Sequence, residues 1–532
     1  MNIYDVAIIG YGPTGMTLAA LLGQLGHRIV VLERHAGLYN LPRAACFDDE
    51  IMRIFQKLGI VDDIMHGAVV QRDYEWLNAA GETLHKIEYA DSAPAGWAAL
   101  YMMFQPEIEA VLDRLDKKLP TVEVRQGLTI SEIAQDDESV TLRGIDNSGS
   151  AVSVRARYAV GADGGSSFVR RQLFQKVDDY GFQENWLVCD FHLRRTVKDL
   201  PMFRQICDPA QPTSIVRIGP QNHRFSFMLD PGVTADQATD ENGVWTRVSK
   251  YLSREDAELI RVANYVFRSR IVSEWRHGRV FLAGDAAHEM PPFLGQGMCS
   301  GIRDGHNLAW KLDLVLNNRA EESLLDTYQV EREPHVRFIT EKAIELGRVQ
   351  TLRDPVAARA RDETLLAARR AQQQPDKIKL PNLTGGLIAD SGEFFPQAVV
   401  RRDDTKARFD DIVGPGWCVV ASDPEIVDAL SAGQLAAWKM FGGNLAVFGR
   451  SQEPNCLDDA DGAYSEWFNA RGCSAAVVRP DWHVYGTAQD SHKLSALLDG
   501  LAVSLRAGTE TNAASQVAGP PLVNAATGFQ QP

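Results

Sequence analysis

Apolar positions along the chain switch between two periods, and the switches mark out the elements. Asp5 to Ile9 is a short apolar run, Thr14 to Leu25 carries apolar residues at helical spacing, and Arg28 to Leu32 is apolar and β-branched again. That order predicts a strand–helix–strand unit with a tight first turn. A more polar middle predicts strands over Thr121 to Arg125, Ser139 to Arg143, Ala151 to Arg157 and Ala159 to Ala162. From about Trp186 to Val272 the pattern is turn-rich and β-dominated, with a hairpin-like pair, Ser214 to Ile218 and Arg224 to Leu229, around Gly219-Pro220-Gln221-Asn222. The α/β pattern returns with a strand at Val280 to Ala283, a helix from about Met298 to Leu316 and a charged helical run from Thr340 to Arg370. The stretch AQQQPDKIKLPNLTGG reads as a linker, and strand and helix signals alternate again up to about Arg506.

Length and composition narrow the function classes. At 532 residues the chain exceeds what one core holds, so at least two packed units are expected. A net charge of −15, spread along the chain, argues against nucleic acid or an anionic membrane as partner. The seven cysteines form no CxxC pair and no metal spacing, so they read as reduced thiols in a cytoplasmic protein, with no metal site. No leader-like segment precedes the first strand, and no run of about 18 apolar residues predicts a membrane span.

Three segments carry chemistry. GYGPTG, with Gly10, Gly12, Pro13, Thr14 and Gly15, follows a strand and opens a helix, and Glu33 ends the next strand. Gly10 permits the turn, Gly12 lets backbone amides approach a pyrophosphate, Gly15 lets helix and strand pack, and Glu33 can accept from ribose hydroxyls. GADGGSSFVRR brings Asp163, Gly164 and Arg170 to a second strand-to-helix break. In RVFLAGDAAHEMPPFLGQGMCSGIRDGHNLAWKL, Gly284 and Asp285 end a strand, where a carboxylate could hold a polyol. Pro292, Gly295, Gly297 and Met298 then lead into a helix whose first amides can stabilise negative charge.

In this order the three segments resemble the group A flavoprotein hydroxylases, the family of para-hydroxybenzoate hydroxylase and phenol hydroxylase. MPPFLGQGMCSGIRDGHNLAWKL and PRAACFDDE look most like the 3-(3-hydroxyphenyl)propionate hydroxylase branch. From about Gly392 to Gly486, GEFFPQ and RPDWHVYG are similar to the thioredoxin-like C-terminal domain of the phenol hydroxylase relatives, without CxxC and with Trp482 where the relatives often have glycine. The resemblance implies an α/β fold: a Rossmann-like FAD-binding domain (1–72, 106–180 and 273–370) interleaved with a mixed β-sheet substrate domain (73–105 and 181–272). A linker (371–386), the thioredoxin-like domain (387–506) and a tail (507–532) follow, and the thioredoxin-like part is expected to serve packing or a homodimer.

The implied activity takes electrons from NADH or NADPH into FAD and hydroxylates a small phenolic ring, a phenylpropanoid-type acid, with O2 through a flavin C4a-hydroperoxide. The alternatives are a flavoprotein dehydrogenase or reductase that inserts no oxygen, and a non-catalytic FAD-binding scaffold; a halogenase would carry WxWxIP, which this chain lacks. The resemblance places Glu33 on the adenosine ribose, Arg43 and Gln105 near the pyrophosphate and ribityl chain, Asp163 at the positioning of the FAD pyrophosphate and at nicotinamide nucleotide binding, Asp285 on the ribityl hydroxyls, and Pro292, Gly295, Gly297 and Met298 along the isoalloxazine. Arg34 beside Glu33 borders the same nucleotide and does not distinguish NADH from NADPH. Asp48 and His288 are the candidate bases, against a helix cap for Asp48 and a loop hydrogen bond for His288. Arg204, Arg217, His223, Phe225 and Tyr265 are candidate substrate contacts, of which strand alternation allows about half to face one side.

Overall fold

The computed structural model describes residues 3–174, 176–373, 378–449 and 456–506. The expected tail, 507–532, and part of the expected linker lie outside the described residues.

The opening strand Tyr4–Ile9 is apolar because both its faces are covered. It lies between the parallel strands Ile29–Glu33 and Ala151–Gly161, which pair outward with Val122–Gln126 and Val280–Leu282 in the same sense. The helices Pro13–Gln24 and Gly297–Leu316 meet closely: a Cβ on Gly301 would stand 2.3 Å from the Thr14 hydroxyl oxygen. The two strands expected at Ala151 to Arg157 and Ala159 to Ala162 are one continuous strand, Ala151–Gly161.

A second sheet has eight strands, in the order His288–Glu289, Ala257–Val272, Val177–Leu193, Asn222–Met228, Thr213–Arg217, Phe203–Ile206, Asp73–Leu77 and Thr83–Glu88. One face buries Leu187, Phe191, Ile215 and Phe225 against Val244 and Trp245 of the helix Glu241–Val248, an element that the β-dominated reading of this stretch did not contain. Asp240 starts that helix by accepting from Gly243 N at 2.7 Å. The opposite face of the sheet is turned to the cavity described below.

The charged run Thr340 to Arg370 divides into two helices, Thr327–Gln350 and Pro355–Arg370. Asp354 caps the second by accepting from Val356 N and Ala357 N, and Pro355 at its first position cannot continue a preceding helix. The C-terminal part is built on a seven-stranded sheet whose middle runs Cys456–Asp459, Asn444–Phe448, Cys418–Ala421, Ala475–Val478, Val484–Ala488. The first three of these are mutually parallel, and Ala475–Val478 is antiparallel to both its neighbours.

This part is joined to the rest by apolar packing and by buried charge. One apolar cluster extends from Val6 to Leu505. Arg479 donates to Glu331 at 2.7 Å and to Asp481 at 2.7 Å, Lys311 donates to Glu331 at 2.7 Å, and Asn307 and Trp310 donate to Asp481, all in buried surroundings. Among the described residues no helix is long and apolar enough to cross a membrane, and no group of His, Cys, Asp or Glu side chains could hold a metal ion.

Candidate active site

One cavity of about 3450 Å³ is lined from the first sheet, the second sheet and the C-terminal part. That exceeds the roughly 300–1,000 Å³ of ordinary ligand pockets and leaves room for a dinucleotide beside a small ring.

Its first end is built by the opening turn. Gly10 has φ +105°, and a Cβ there would lie 2.3 Å from the Ala162 carbonyl oxygen; a Cβ on Gly15 would lie 2.2 Å from the Gly10 carbonyl oxygen. Both positions require glycine. At Gly12 the nearest atom to a Cβ is Nη2 of Arg43, 3.9 Å away, so the approach to the helix start is open. The helix that begins at Pro13 has no side-chain cap, which leaves its first amides directed at the cavity. Glu33 accepts from Tyr11 N at 2.9 Å with one carboxylate oxygen and from His35 N at 2.8 Å with the other, so it also fixes the turn. Arg34 is exposed and lines the same end.

Gln105 and Asp163 act through the backbone. The buried Gln105 accepts from Arg43 N at 3.1 Å and Ala44 N at 2.6 Å, while Glu109 accepts from the Arg43 guanidinium at 2.8 Å. Arg43 is thereby aimed along the cavity wall. Asp163 accepts from Ser167 Oγ, from Phe168 N at 2.6 Å and from Val169 N at 3.2 Å, tying down the helix Phe168–Leu173 next to Gly164, where φ is +77°. From that helix Arg170 donates to the carbonyls of Asp285 and Ala286 at 3.2 and 3.1 Å, which joins the second motif to the third.

In the third motif the Asp285 carboxylate opens into the cavity and makes no hydrogen bond among the described residues. Desolvation raises its pKa, opposed by His288, Arg43 and Arg170. After Pro292–Leu294 the chain turns at Gly295, φ +65°, where a Cβ would lie 2.5 Å from the Cys46 sulfur, and enters the helix Gly297–Leu316 with no side-chain cap. The amides at that start face the cavity beside Met298.

The second sheet contributes a face other than the expected one. Arg204 points away and pairs with Glu75 at 2.9 Å; Arg217 donates to the carbonyls of Gly219 and Pro220; His223 meets the Pro201 carbonyl at 2.7 Å; Phe225 is fully buried under Trp245 and Phe191. These four are structural, because they share the strand phase that faces the covering helix. Of the expected contacts Tyr265 alone lines the cavity, and it stands close enough to Asp285 for that carboxylate to help burial raise its pKa. The alternate phase supplies Phe203, Gln205, Ser214, Val216, Arg224 and Ser226. Arg224 is held by the buried Asp190 at 2.6 Å and donates to the carbonyls of Arg43 and Pro42 at 2.6 and 3.0 Å, and Arg261 joins the same carboxylate at 3.5 Å. The two arginines bind this sheet to the loop that carries Arg43.

A family model described as an FAD binding domain matches residues 3–343, more than half of the chain. A protein of Rhodococcus jostii (strain RHA1) named as a probable NADH-specific resorcinol 4-hydroxylase is 55% identical over 94% of this chain and 95% of its own. The chain belongs to the FAD-dependent aromatic hydroxylases. A 3-(3-hydroxy-phenyl)propionate/3-hydroxycinnamic acid hydroxylase of Mycobacterium sp. (strain JLS) is 32% identical over 93% of this chain and 92% of its own. A second model, described as the HcaD C-terminal domain, matches residues 392–503. Among solved structures, aklavinone-11 hydroxylase with FAD and aklavinone shares the fold, with a TM-score of 0.77, 24% identity and coverage of 94% of this chain and 100% of that one. The p-nitrophenol 4-monooxygenase of Pseudomonas putida DLL-E4 has a TM-score of 0.63 at 27% identity, over 69% of this chain and 94% of its own.

The hydroxylase's cavity fits FAD on three observations: two helix starts without side-chain caps, a glycine at position 12 with open approach, and an unbonded carboxylate at Asp285. The two base candidates are placed differently. Asp48 borders the cavity but is occupied: one oxygen caps the next helix by accepting from Ile51 N at 3.2 Å, and the other accepts from Gln296 at 3.0 Å and from Arg303. His288 is outside the cavity lining; it is buried and packed on the Trp275 ring at 5.2 Å, and its partner, at 2.6 Å, is the Asp304 carboxylate of the helix Gly297–Leu316 rather than loop backbone, so it ties the loop to that helix. Sequence reasoning missed Tyr89, whose hydroxyl borders the cavity near Cys46 without a hydrogen bond among the described residues; burial and Cys46 raise its pKa. It also missed Arg224 and Ser226, although the run Arg224-Phe225-Ser226-Phe227 shows polar and apolar side chains in strict alternation.

Proposed function

We propose that this hydroxylase uses NADH to place one oxygen atom of O2 on a small dihydroxybenzene of the resorcinol class. The observation that carries the substrate class is the full-length, 55% identical relative, whose name specifies NADH and resorcinol. The lining supports it: the cavity face of the second sheet carries Gln205, Ser214 and Ser226 together with His85 and Tyr265, and the arginines 224 and 261 are already taken by Asp190. A neutral diol finds hydroxyl and amide partners there, whereas among the described residues the arginines of that face are already paired and would not be free for the carboxylate of a phenylpropanoid acid.

FAD, reduced by the nicotinamide and open to O2, supplies the oxygen transfer. The chain's own residues bind and orient. The first N–H groups of the helix after Pro13, from Thr14 on, and the Arg43 guanidinium would hold the pyrophosphate, Glu33 would offer its remaining lone pairs to the adenosine ribose, and Asp285 would accept from ribityl hydroxyls. The helix starting at Gly297 presents its positive end to the cavity and would stabilise the negative charge that a flavin ring there develops on reduction. Asp48 positions Gln296 and Arg303 at that start. Tyr89, kept protonated, hydrogen-bonds the substrate hydroxyl, and the apolar walls from Phe203 and Val216 exclude water. The order of the C-terminal strands, with one antiparallel member between parallel-running neighbours, supports the thioredoxin-like reading of that part. NADH and NADPH oxidation followed with resorcinol and with 3-(3-hydroxyphenyl)propionate tests the proposal. Stimulation by resorcinol with NADH is expected; stimulation by the acid alone would replace the substrate class.

A further inference from the structure

The cavity does not end at the start of the helix Gly297–Leu316. It continues past Glu50, Arg303 and His335 to Glu393, Phe394 and His483, the last three from the C-terminal part. We propose that His483, with Glu50 and His335, forms a polar route that carries a proton between bulk water and the ring pocket, so that the C-terminal part is a working component of the site. This rests on the hydroxylase reading above.

Chemical balance creates the need. When one atom of O2 becomes a ring hydroxyl and the other leaves as water, NADH gives a hydride, which is two electrons and one proton. The second proton of that water must come from solvent. A site that excludes water therefore needs a defined path for it.

The tautomers suit the task. Arg332 donates to Nδ1 of His335 at 2.9 Å, and a guanidinium can only donate, so the proton of His335 sits on Nε2. Nδ1 of His483 meets the Gly392 carbonyl at 3.1 Å, and a carbonyl can only accept, so its proton sits on Nδ1 and Nε2 is bare. One ring offers a donor and the other an acceptor to the same space. On the same cavity wall and near His483, one oxygen of Glu50 accepts from Arg303 Nε at 2.6 Å, and the other makes no hydrogen bond among the described residues. Arg303 in turn donates to Gln296 Oε1 at 2.8 Å, at the start of the helix beside the ring. A proton entering from the Glu393 end binds Nε2 of His483, passes through water in the cavity to the Glu50 carboxylate, and is handed on from Glu50 through cavity water to the ring pocket, past the Arg303 guanidinium, which stays charged, so that His483 and Glu50 both return to their starting states.

The surrounding charges are compatible. Burial lowers the pKa of His483, Asp481 and Glu50 draw it up, and Arg479 lowers it; His306 and His335 face the same region from the two long helices. His335 is held well below its ordinary value by burial and by Arg332 and Arg303, so it stays a neutral donor. His483 acts through Glu50 and water; it is a positioning residue for the proton.

The test uses the full-length, FAD-loaded protein with resorcinol and NADH, and compares wild type with His483→Gln, His483→Ala and Glu50→Gln across pH. The expected result is a kcat of hydroxylation lower by roughly 10-fold or more, declining from a lower pH than in wild type, with FAD content and KM for the phenol unchanged. Added imidazole should restore much of the rate to His483→Ala. A wild-type kcat and pH profile in Glu50→Gln or in a folded His483 variant would overturn the inference, as would a loss in His483→Ala that imidazole does not relieve. Wild-type protein that yields no hydroxylated product contradicts the hydroxylase reading itself, and is distinguished by needing no variant.

Discussion

Asp285 and Tyr89 show what a single polar atom does when the fold leaves it without a partner. The Asp285 carboxylate opens into the cavity, has a raised pKa and makes no hydrogen bond among the described residues, an arrangement that a ligand in the cavity completes. Asp285→Asn should therefore weaken FAD binding by roughly 10- to 100-fold, the worth of a charge-assisted hydrogen bond, as read by titrating the apoprotein with FAD. Tyr89→Phe removes only a neutral hydroxyl, so the KM for the phenol should rise by about 3- to 10-fold while FAD affinity stays put. The glycine motif and Asp285 were legible in the sequence because their chemistry is local: a turn, a helix start, a strand end. Tyr89 was not: it lies outside every motif, and only tertiary packing brings it to the cavity. For His288 the sequence left a base and a loop hydrogen bond open, and only packing shows that its imidazole turns to Asp304.

At the scale of elements, strand phase explains the largest misreading. Arg204, Arg217, His223 and Phe225 were expected at the substrate because they are charged or aromatic, yet the helix Glu241–Val248 covers their side of the sheet. A one-residue change of phase exchanges the two faces of a strand, and the sequence marks which face is apolar only where alternation is unbroken. In Asn222–Met228 the alternation Arg224-Phe225-Ser226-Phe227 marks Phe225 as inward and Arg224 and Ser226 as the other face, and it was residue type, not phase, that drew Phe225 to the substrate. Elements defined by caps and special angles were more legible: the helix predicted from about Met298 begins at Gly297, after a turn at Gly295. That turn also carries a prediction. Gly295→Ala would force a Cβ into a left-handed conformation and to 2.5 Å from the Cys46 sulfur. The helix start should shift, and FAD content after purification should fall by roughly 10-fold or more, from strain of about 1–3 kcal/mol, without loss of secondary structure by circular dichroism.

Across the whole molecule, the C-terminal part is held by buried charge as well as by apolar packing. Glu331 and Arg479 are fully buried, and burial opposed by Arg479 and Lys311 leaves the Glu331 pKa lowered to about 2. Breaking such a cluster from one side leaves uncompensated charge. Arg479→Met should destabilise the fold by about 3–5 kcal/mol, seen as a lower denaturation midpoint, whereas surface pairs such as Arg143 with Glu132 contribute little. The sequence showed the segment RPDWHVYG as a resemblance only; that its arginine and aspartate reach Glu331 and Asn307 of the long helices follows from contacts far apart in the chain. The same docking brings His483 to the cavity. The central claim, that this cavity holds FAD and uses it to oxygenate a phenol, is tested most directly by supplying purified protein with NADH, resorcinol and isotopically heavy O2 and weighing the product. One heavy oxygen atom in a trihydroxybenzene is the predicted result; NADH oxidation with peroxide as the sole product, or a product carrying no heavy oxygen, would contradict it.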